Sequence, residues 1–247
     1  MNLLSKAELL QYYESEEPES LFIEPLLNKN QIGNFTIDLR LGYDFLVSIM
    51  TRKPSIELIP SKNNDTHQPI RTFFQETRRD LGDRFIVYPN QVVLATTLEY
   101  VCLPPDCYAD VLSRSSYTRL GLSLNTMIQP GYRGCISLEL FNHGNSPVEL
   151  IVGSRICQIR IFKNETVGEY ISHESHRKYF GNVRPTVSAA ESDNELNMLE
   201  RSDKMKTLML YIIKHTATTQ PPRCVVAMFK VLTEFKNHLR AVFQAQI

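Results

Sequence analysis

The sequence lacks net charge: 27 lysines and arginines balance 27 aspartates and glutamates. A protein that grips a nucleic-acid polymer needs a basic surface, so the balance argues against that class. A local basic pocket for a small anion stays open. The sequence also lacks a CxxC pair. Its five cysteines (Cys102, Cys107, Cys135, Cys157 and Cys224) are scattered and odd in number. That pattern is expected of reduced thiols in a cytoplasmic protein. A long apolar run is missing too. The N-terminal MNLLSKAELLQYYESEEPES carries acids early and reads as no signal peptide. The run LMLYII is too short to cross a bilayer, so no membrane partner is expected. No internal repeat or low-complexity segment stands out.

The last absence marks a boundary. All ten glycines lie at or before Gly181, and residues 189–247 hold only two prolines, Pro221 and Pro222. We therefore expect two domains, residues 1–188 and 189–247. The second reads as helix. Val225, Met228, Leu232, Phe235, Leu239 and Val242 recur at spacings of three and four, and Leu208, Met209, Ile212 and Ile213 make a similar stripe. A helical hairpin follows, starting its second arm at Pro221–Pro222. Its apolar stripe serves equally as a face docked on the first domain or as a surface for binding another protein.

What is present before residue 188 is short apolar runs cut by turn signals: RFIVY, VVLATTLEYVCL, CISLELF, VELIV and RICQIRIF. Several alternate. Ile136, Leu138 and Leu140 share one face of a strand while Ser137, Glu139 and Phe141 share the other. The expected class is mainly β, a sandwich or barrel of short strands. Residues 50–82 read as a polar excursion with little regular structure.

The stretch SRSSYTRLG, residues 113–121, carries the chemistry. One helical turn over residues 115–120 puts Ser115 and Arg119 on the same side, with Gly121 ending the turn in a left-handed conformation. Free backbone N–H groups, two hydroxyls and Arg114 then form an anion site. On this stretch alone, an N-cap serine with solvated arginines explains the residues equally well. The next run, GLSLNTMIQPGYRGCISLELFNHG, adds a hairpin-like QPGYRG and sets Glu139 on a strand's polar face.

Taken together, LSRSSYTRLGL, PGYRGCISLELFN and GSRICQI resemble the dCTP deaminase branch of the trimeric dUTPase superfamily. Upstream, LLSKAELL, FIEP, TIDLRLGYDF and YPNQVVLATTLEYVCLP follow in that family's order; downstream, RKYFGN and PTVS resemble its closing segment. The resemblance covers residues 1–188. It implies a dUTPase-like distorted β-barrel or jelly roll, the helical hairpin being an appendage, in a homotrimer with active sites between subunits. It implies deamination of dCTP without zinc, with Mg²⁺ carried by the triphosphate. By position, Arg114, Ser115 and Ser116 would hold phosphates. Glu139 would be the general acid/base, positioned with its water by Ser115 and Arg119. Backbone groups of Ser137, Leu138 and Glu139 would read the base edge. Gln129 would bond the sugar hydroxyl, and Lys178, Tyr170 and Asn182 would close over the nucleotide.

The physical chemistry agrees. One glutamate can take a proton from water and return it to the leaving amine, which contributes about 10²–10⁴-fold. The zinc-deaminase signature H-x-E…P-C-x-x-C is absent. His173 and His176 sit three apart, but no third ligand accompanies them, so no metal site is expected there. Four departures from the family stand out: Ser113 for a glycine, a short stretch at residues 122–127, Gln129 for an aspartate, and Asn182 for a glutamine. Two alternatives compete. A dUTP diphosphatase would need an acid at Gln129. A nucleotide-binding sensor would keep the phosphate grip and act through the tail, but has little need for Glu139.

Overall fold

The structure, a computed structural model, describes residues 2–53, 55–58, 68–165, 178–193 and 196. Its strands belong to one compact unit, Met1–Glu57 with Asp65–Ala189. The second unit is described only at residues 58, 190–193 and 196, where Ala190–Ser192 makes a 3-10 turn. The expected helical hairpin lies outside the described residues, as do Tyr170, His173 and His176.

The first elements are β1 (Asn2–Leu3), α1 (Lys6–Tyr13), β2 (Phe22–Glu24), β3 (Ile37–Arg40), β4 (Asp44–Ser48), β5 (Phe74–Arg78) and β6 (Arg84–Val87). Then come β7 (Val92–Cys102), β8 (Cys107–Ser113), α2 (Ser115–Thr118), β9 (Leu122–Ser123), β10 (Asn125–Ile128), β11 (Arg133–Asn142), β12 (Val148–Ile151) and β13 (Arg155–Lys163). Helix α1 starts where Ser5 donates from its backbone N–H and its hydroxyl to the Glu8 carboxylate, at 2.8 and 2.6 Å. That is the capping box written into the sequence as SKAE.

Strands run β1-β13-β8-β10 in one sheet, with β3 also on β13, and β5-β4-β7-β11-β9 in the other, with β2 on β7. β6 and β12 form a separate ribbon. Period-2 alternation decides which face is buried. Leu39, Val111 and Ile159 point inward from the first sheet; Val93, Ala95, Leu138 and Leu140 point inward from the second, and all join one core. Each fully buried leucine or isoleucine contributes about 1.5–3 kcal/mol of transfer free energy. The outer faces keep the polar residues: Asp38, Asp110, Gln158 and Arg160 on the first sheet, Ser137 and Glu139 on the second.

Three expectations need correction. Among the described residues no closed barrel forms. Closure of the first sheet needs edge strand β10 to pair back onto β1 or β3. Instead the turn at Gln129–Tyr132 carries the chain across to the second sheet, so the architecture is a two-sheet sandwich with open edges. The same turn is not a hairpin, because its flanking strands β10 and β11 pair with β8 and β7. Within the expected polar excursion of residues 50–82, the described residues 68–82 are more regular than their polarity indicated. A 3-10 turn at Ile70–Phe73 buries both of its ends, and β5 pairs with all of β4 as a polar edge strand.

Candidate active site

Strand β8 ends at Ser113, and the chain turns directly into α2 with Arg114 as its extended N-cap residue. The Arg114 carbonyl accepts from the N–H groups of Tyr117 and Thr118, at 2.9 and 3.1 Å. The Arg119 N–H donates to the Ser115 carbonyl at 3.1 Å, which stacks those two residues one turn apart. Gly121 ends the turn at φ +92°, and a Cβ there would lie 2.6 Å from the Gly144 nitrogen. Only glycine fits. Ser113, by contrast, is not among the residues at positive φ, so serine in place of the family's glycine strains nothing. Its hydroxyl shares a hydrogen bond of 2.7 Å with Thr118.

Ser115 and Arg119 line a pocket of about 390 Å³ on the outer face of the first sheet. Its other polar walls are Thr36, Ser113, Thr118, Gln158 and Arg160. Arg160 reaches Asp110 at 3.3 Å but leaves its buried Nε without a partner among the described residues. Arg114 lies beside this pocket. Its Nη1 donates to the Arg155 carbonyl at 3.2 Å, and its Nε stands 3.9 Å from Asp38. Ser116 makes no side-chain hydrogen bond among the described residues and is exposed. Hydroxyls, guanidinium groups and an amide suit phosphate oxygens. Gln158, Arg160 and Asp38 were missed in the sequence. Gln158 sat in the quoted GSRICQI, but only the β3–β13–β8 pairing brings it to α2.

Glu139 occupies the outer face of the second sheet, opposite Leu94 in the β7–β11 ladder. Its carboxylate has no side-chain partner among the described residues. Although the side chain opens to solvent, desolvation by its surroundings pushes its pKa up, with its own backbone N–H pulling the other way. A carboxyl that ionises above the usual range suits a group that must give and take a proton. Strand β9 pairs only with Phe141 and Asn142 of β11. The edge of β11 at Ser137–Glu139 therefore has no strand partner on that side among the described residues, and its backbone can meet a base edge. The Ser137 hydroxyl is buried and has no partner among the described residues, whereas the Leu138 side chain is wholly in the core. A bulge at Cys135/Ser137, where the Ile136 N–H turns to the Thr97 hydroxyl at 2.9 Å, re-aims this stretch.

The remaining expected residues lie elsewhere on the chain. Gln129 is exposed on the inter-sheet turn, its carbonyl accepting from the Tyr132 N–H at 3.2 Å. Asn182 lies against the start of β11: its carbonyl accepts from the Cys135 N–H at 2.8 Å, and the Gly181 N–H donates to the Arg133 carbonyl at 2.7 Å. Four residues of strand separate Cys135 from Glu139, roughly 13 Å, so Asn182 does not meet the acid of its own chain through this contact. Lys178 is exposed at the head of the same segment. Within one chain the structure gathers Ser115 and Arg119 in one pocket and leaves Glu139 outside it, on the other sheet. No hydrogen bond or ion pair joins Glu139 to Ser115, Ser116 or Arg119 among the described residues.

Residues 3–164 match the protein family described as dCTP deaminase-like. A relative from Methanobrevibacter smithii, named "dCTP deaminase, dUMP-forming", is 34% identical over 202 residues, covering 79% of this chain and 99% of its own length. One from Halorubrum lacusprofundi, named "dCTP deaminase", is 37% identical over 184 residues, 72% of this chain and 87% of its own. The solved 2'-deoxycytidine 5'-triphosphate deaminase from Agrobacterium tumefaciens aligns with a TM-score of 0.48 at 23% identity, over 64% of this chain and 46% of that one. The match over residues 3–164 and the near-complete coverage of these curated relatives place the chain in one family: it belongs to the dCTP deaminases.

Proposed function

We propose that the protein hydrolyses the 4-amino group of dCTP. Glu139 takes a proton from water as the oxygen adds to cytosine C4, then delivers it to the departing amine. Ammonia leaves, C4 keeps the water oxygen as the uracil carbonyl, and the second water proton ends on N3. Ser115 and Arg119 orient the acid and its water. Arg114 and Ser116 join Ser115 in gripping phosphates. The observation that carries this reading is Glu139 itself: a carboxylate whose pKa desolvation raises, with no side-chain partner and beside a strand edge with no partner among the described residues, in a chain similar to curated dCTP deaminases.

The pocket and the acid lie on outer faces of different sheets, so the reading includes a second copy that sets its Glu139 against the first copy's pocket. A homotrimer with sites between subunits does this. The donors at the pocket are hydroxyl, guanidinium and amide groups, which suit phosphate rather than a bare cation. Mg²⁺ would therefore be held by the triphosphate, and it would neutralise phosphate charge there. A cytoplasmic setting belongs to the same proposal; no helix among the described residues is long and apolar enough to cross a membrane.

For the product, we favour dUTP with its triphosphate whole. A diphosphatase step needs a base to activate water, and the carboxamide of Gln129 has no comparable basicity. The name "dUMP-forming" carried by a relative 34% identical favours the second reading, loss of pyrophosphate in the same site. Incubation with each of the four dNTPs and Mg²⁺, followed by mass analysis, tests the proposal. Only dCTP should exchange its amine for oxygen; unchanged dCTP would overturn the reading, and dUMP would overturn only the role given to Gln129.

A further inference from the structure

Asp38 lies on β3 directly opposite Gln158 of β13 and is 8% exposed. Its carboxylate accepts hydrogen bonds from Gln158 Nε2 at 2.9 Å and Arg155 Nη1 at 3.4 Å, and it stands 3.9 Å from Arg114 Nε. It is fixed from behind. Its backbone carbonyl accepts from Gln31 Nε2 at 2.9 Å, and the same amide nitrogen donates to the buried Glu99 at 3.0 Å. Gln31 in turn accepts from Arg40 Nε at 3.2 Å. One carboxylate thus faces two guanidinium groups and leaves an excess of positive charge beside the pocket.

The geometry at Arg114 is directional. Nε faces Asp38, and Nη1 donates to the Arg155 carbonyl. Nη2 is the edge left without a protein partner among the described residues. A guanidinium free to rotate would have to be immobilised by an arriving phosphate, at a cost in rotamer entropy. Here the immobilising contacts exist already. Gln158, which lines the pocket with Ser115 and Arg119, is held by the same carboxylate.

We infer that Asp38 is a positioning residue of the phosphate site. It orients Arg114 toward the nucleotide's phosphates without touching them. This rests on the reading of Arg114–Ser116 as a phosphate grip. Calorimetric titration of the full chain with inorganic tripolyphosphate and Mg²⁺ separates the two ideas. The proteins compared are wild type, Asp38→Asn, Arg114→Ala and the double variant. Arg114→Ala should weaken binding roughly tenfold or more, as loss of a charge-assisted hydrogen bond does. Asp38→Asn should weaken it about three- to tenfold, the cost of re-ordering one long side chain. In the Arg114→Ala background, Asp38→Asn should cost nothing further. If Asp38→Asn does not fold, Asp38→Glu takes its place, and its loss must likewise vanish when Arg114 is absent. Weakening by Arg114→Ala with wild-type binding by the Asp38 variant would refute the role of Asp38 and leave the grip standing. Losses that simply add would also refute it. Absence of binding by the wild type, or equal binding by all four, would remove the grip and the inference with it.

Discussion

At the scale of single residues, the proposed function rests on Glu139. Glu139→Gln keeps the shape and removes the proton shuttle, so deamination should fall by about 10²–10⁴-fold while nucleotide affinity holds. Steady-state rates beside a binding titration check this, and near wild-type turnover would refute the assignment. The pH dependence follows from the raised pKa. Glu139 must begin the cycle ionised to accept water's proton, and desolvation favours its neutral form. kcat/KM should therefore decline as pH falls through a value above that of an ordinary glutamate. An acid limb at the ordinary value would contradict that environment. Glu139 itself was legible in the sequence, because the alternation of CISLELF sets it opposite Leu138 and Leu140. Asp38, Gln158 and Arg160 were not. Their chemistry depends on β3, β8 and β13 lying side by side, and no local pattern encodes a partner more than a hundred residues away.

At the scale of elements, the turn from β8 through α2 to β9 positions the pocket. Gly121→Ala forces a Cβ to 2.6 Å from one backbone atom of Gly144 and 2.8 Å from another, at φ +92°. It should destabilise the protein by about 1–3 kcal/mol. It should also displace Arg119, so dCTP turnover should drop more than global unfolding explains. Thermal unfolding and kcat, measured together, test this; a variant with unchanged stability and rate would show that the turn gives way freely. This glycine was legible, since a helical turn that stops at glycine is a local signal. Strand β5 was not. Its sequence, FQETR, is polar because it is an edge strand half open to water, so it shows no apolar alternation. The partners of β10 and β11 were also illegible. QPGYRG announces a turn, but a turn signal does not say which sheet receives the chain afterwards. That difference separates the open sandwich from the expected barrel.

At the scale of the whole molecule, the proposed function requires assembly, because the pocket and Glu139 lie on outer faces of different sheets. Residues 1–188 alone should form a trimer, which light scattering would show; a soluble monomer would mean that the tail holds the assembly together. Subunits carrying Glu139→Gln and subunits carrying Arg119→Ala should each be inactive. Mixed after mild dissociation, they should regain activity, because some interfaces then combine an intact acid with an intact pocket. No recovery in verified mixed trimers would mean that each chain builds its own site. The central claim, that this chain deaminates dCTP, is tested most directly by proton and phosphorus NMR of one reaction with dCTP and Mg²⁺. The account predicts that cytosine ring signals give way to uracil signals while all three phosphorus resonances persist. Cytosine signals that stay unchanged in the presence of correctly assembled protein would contradict it.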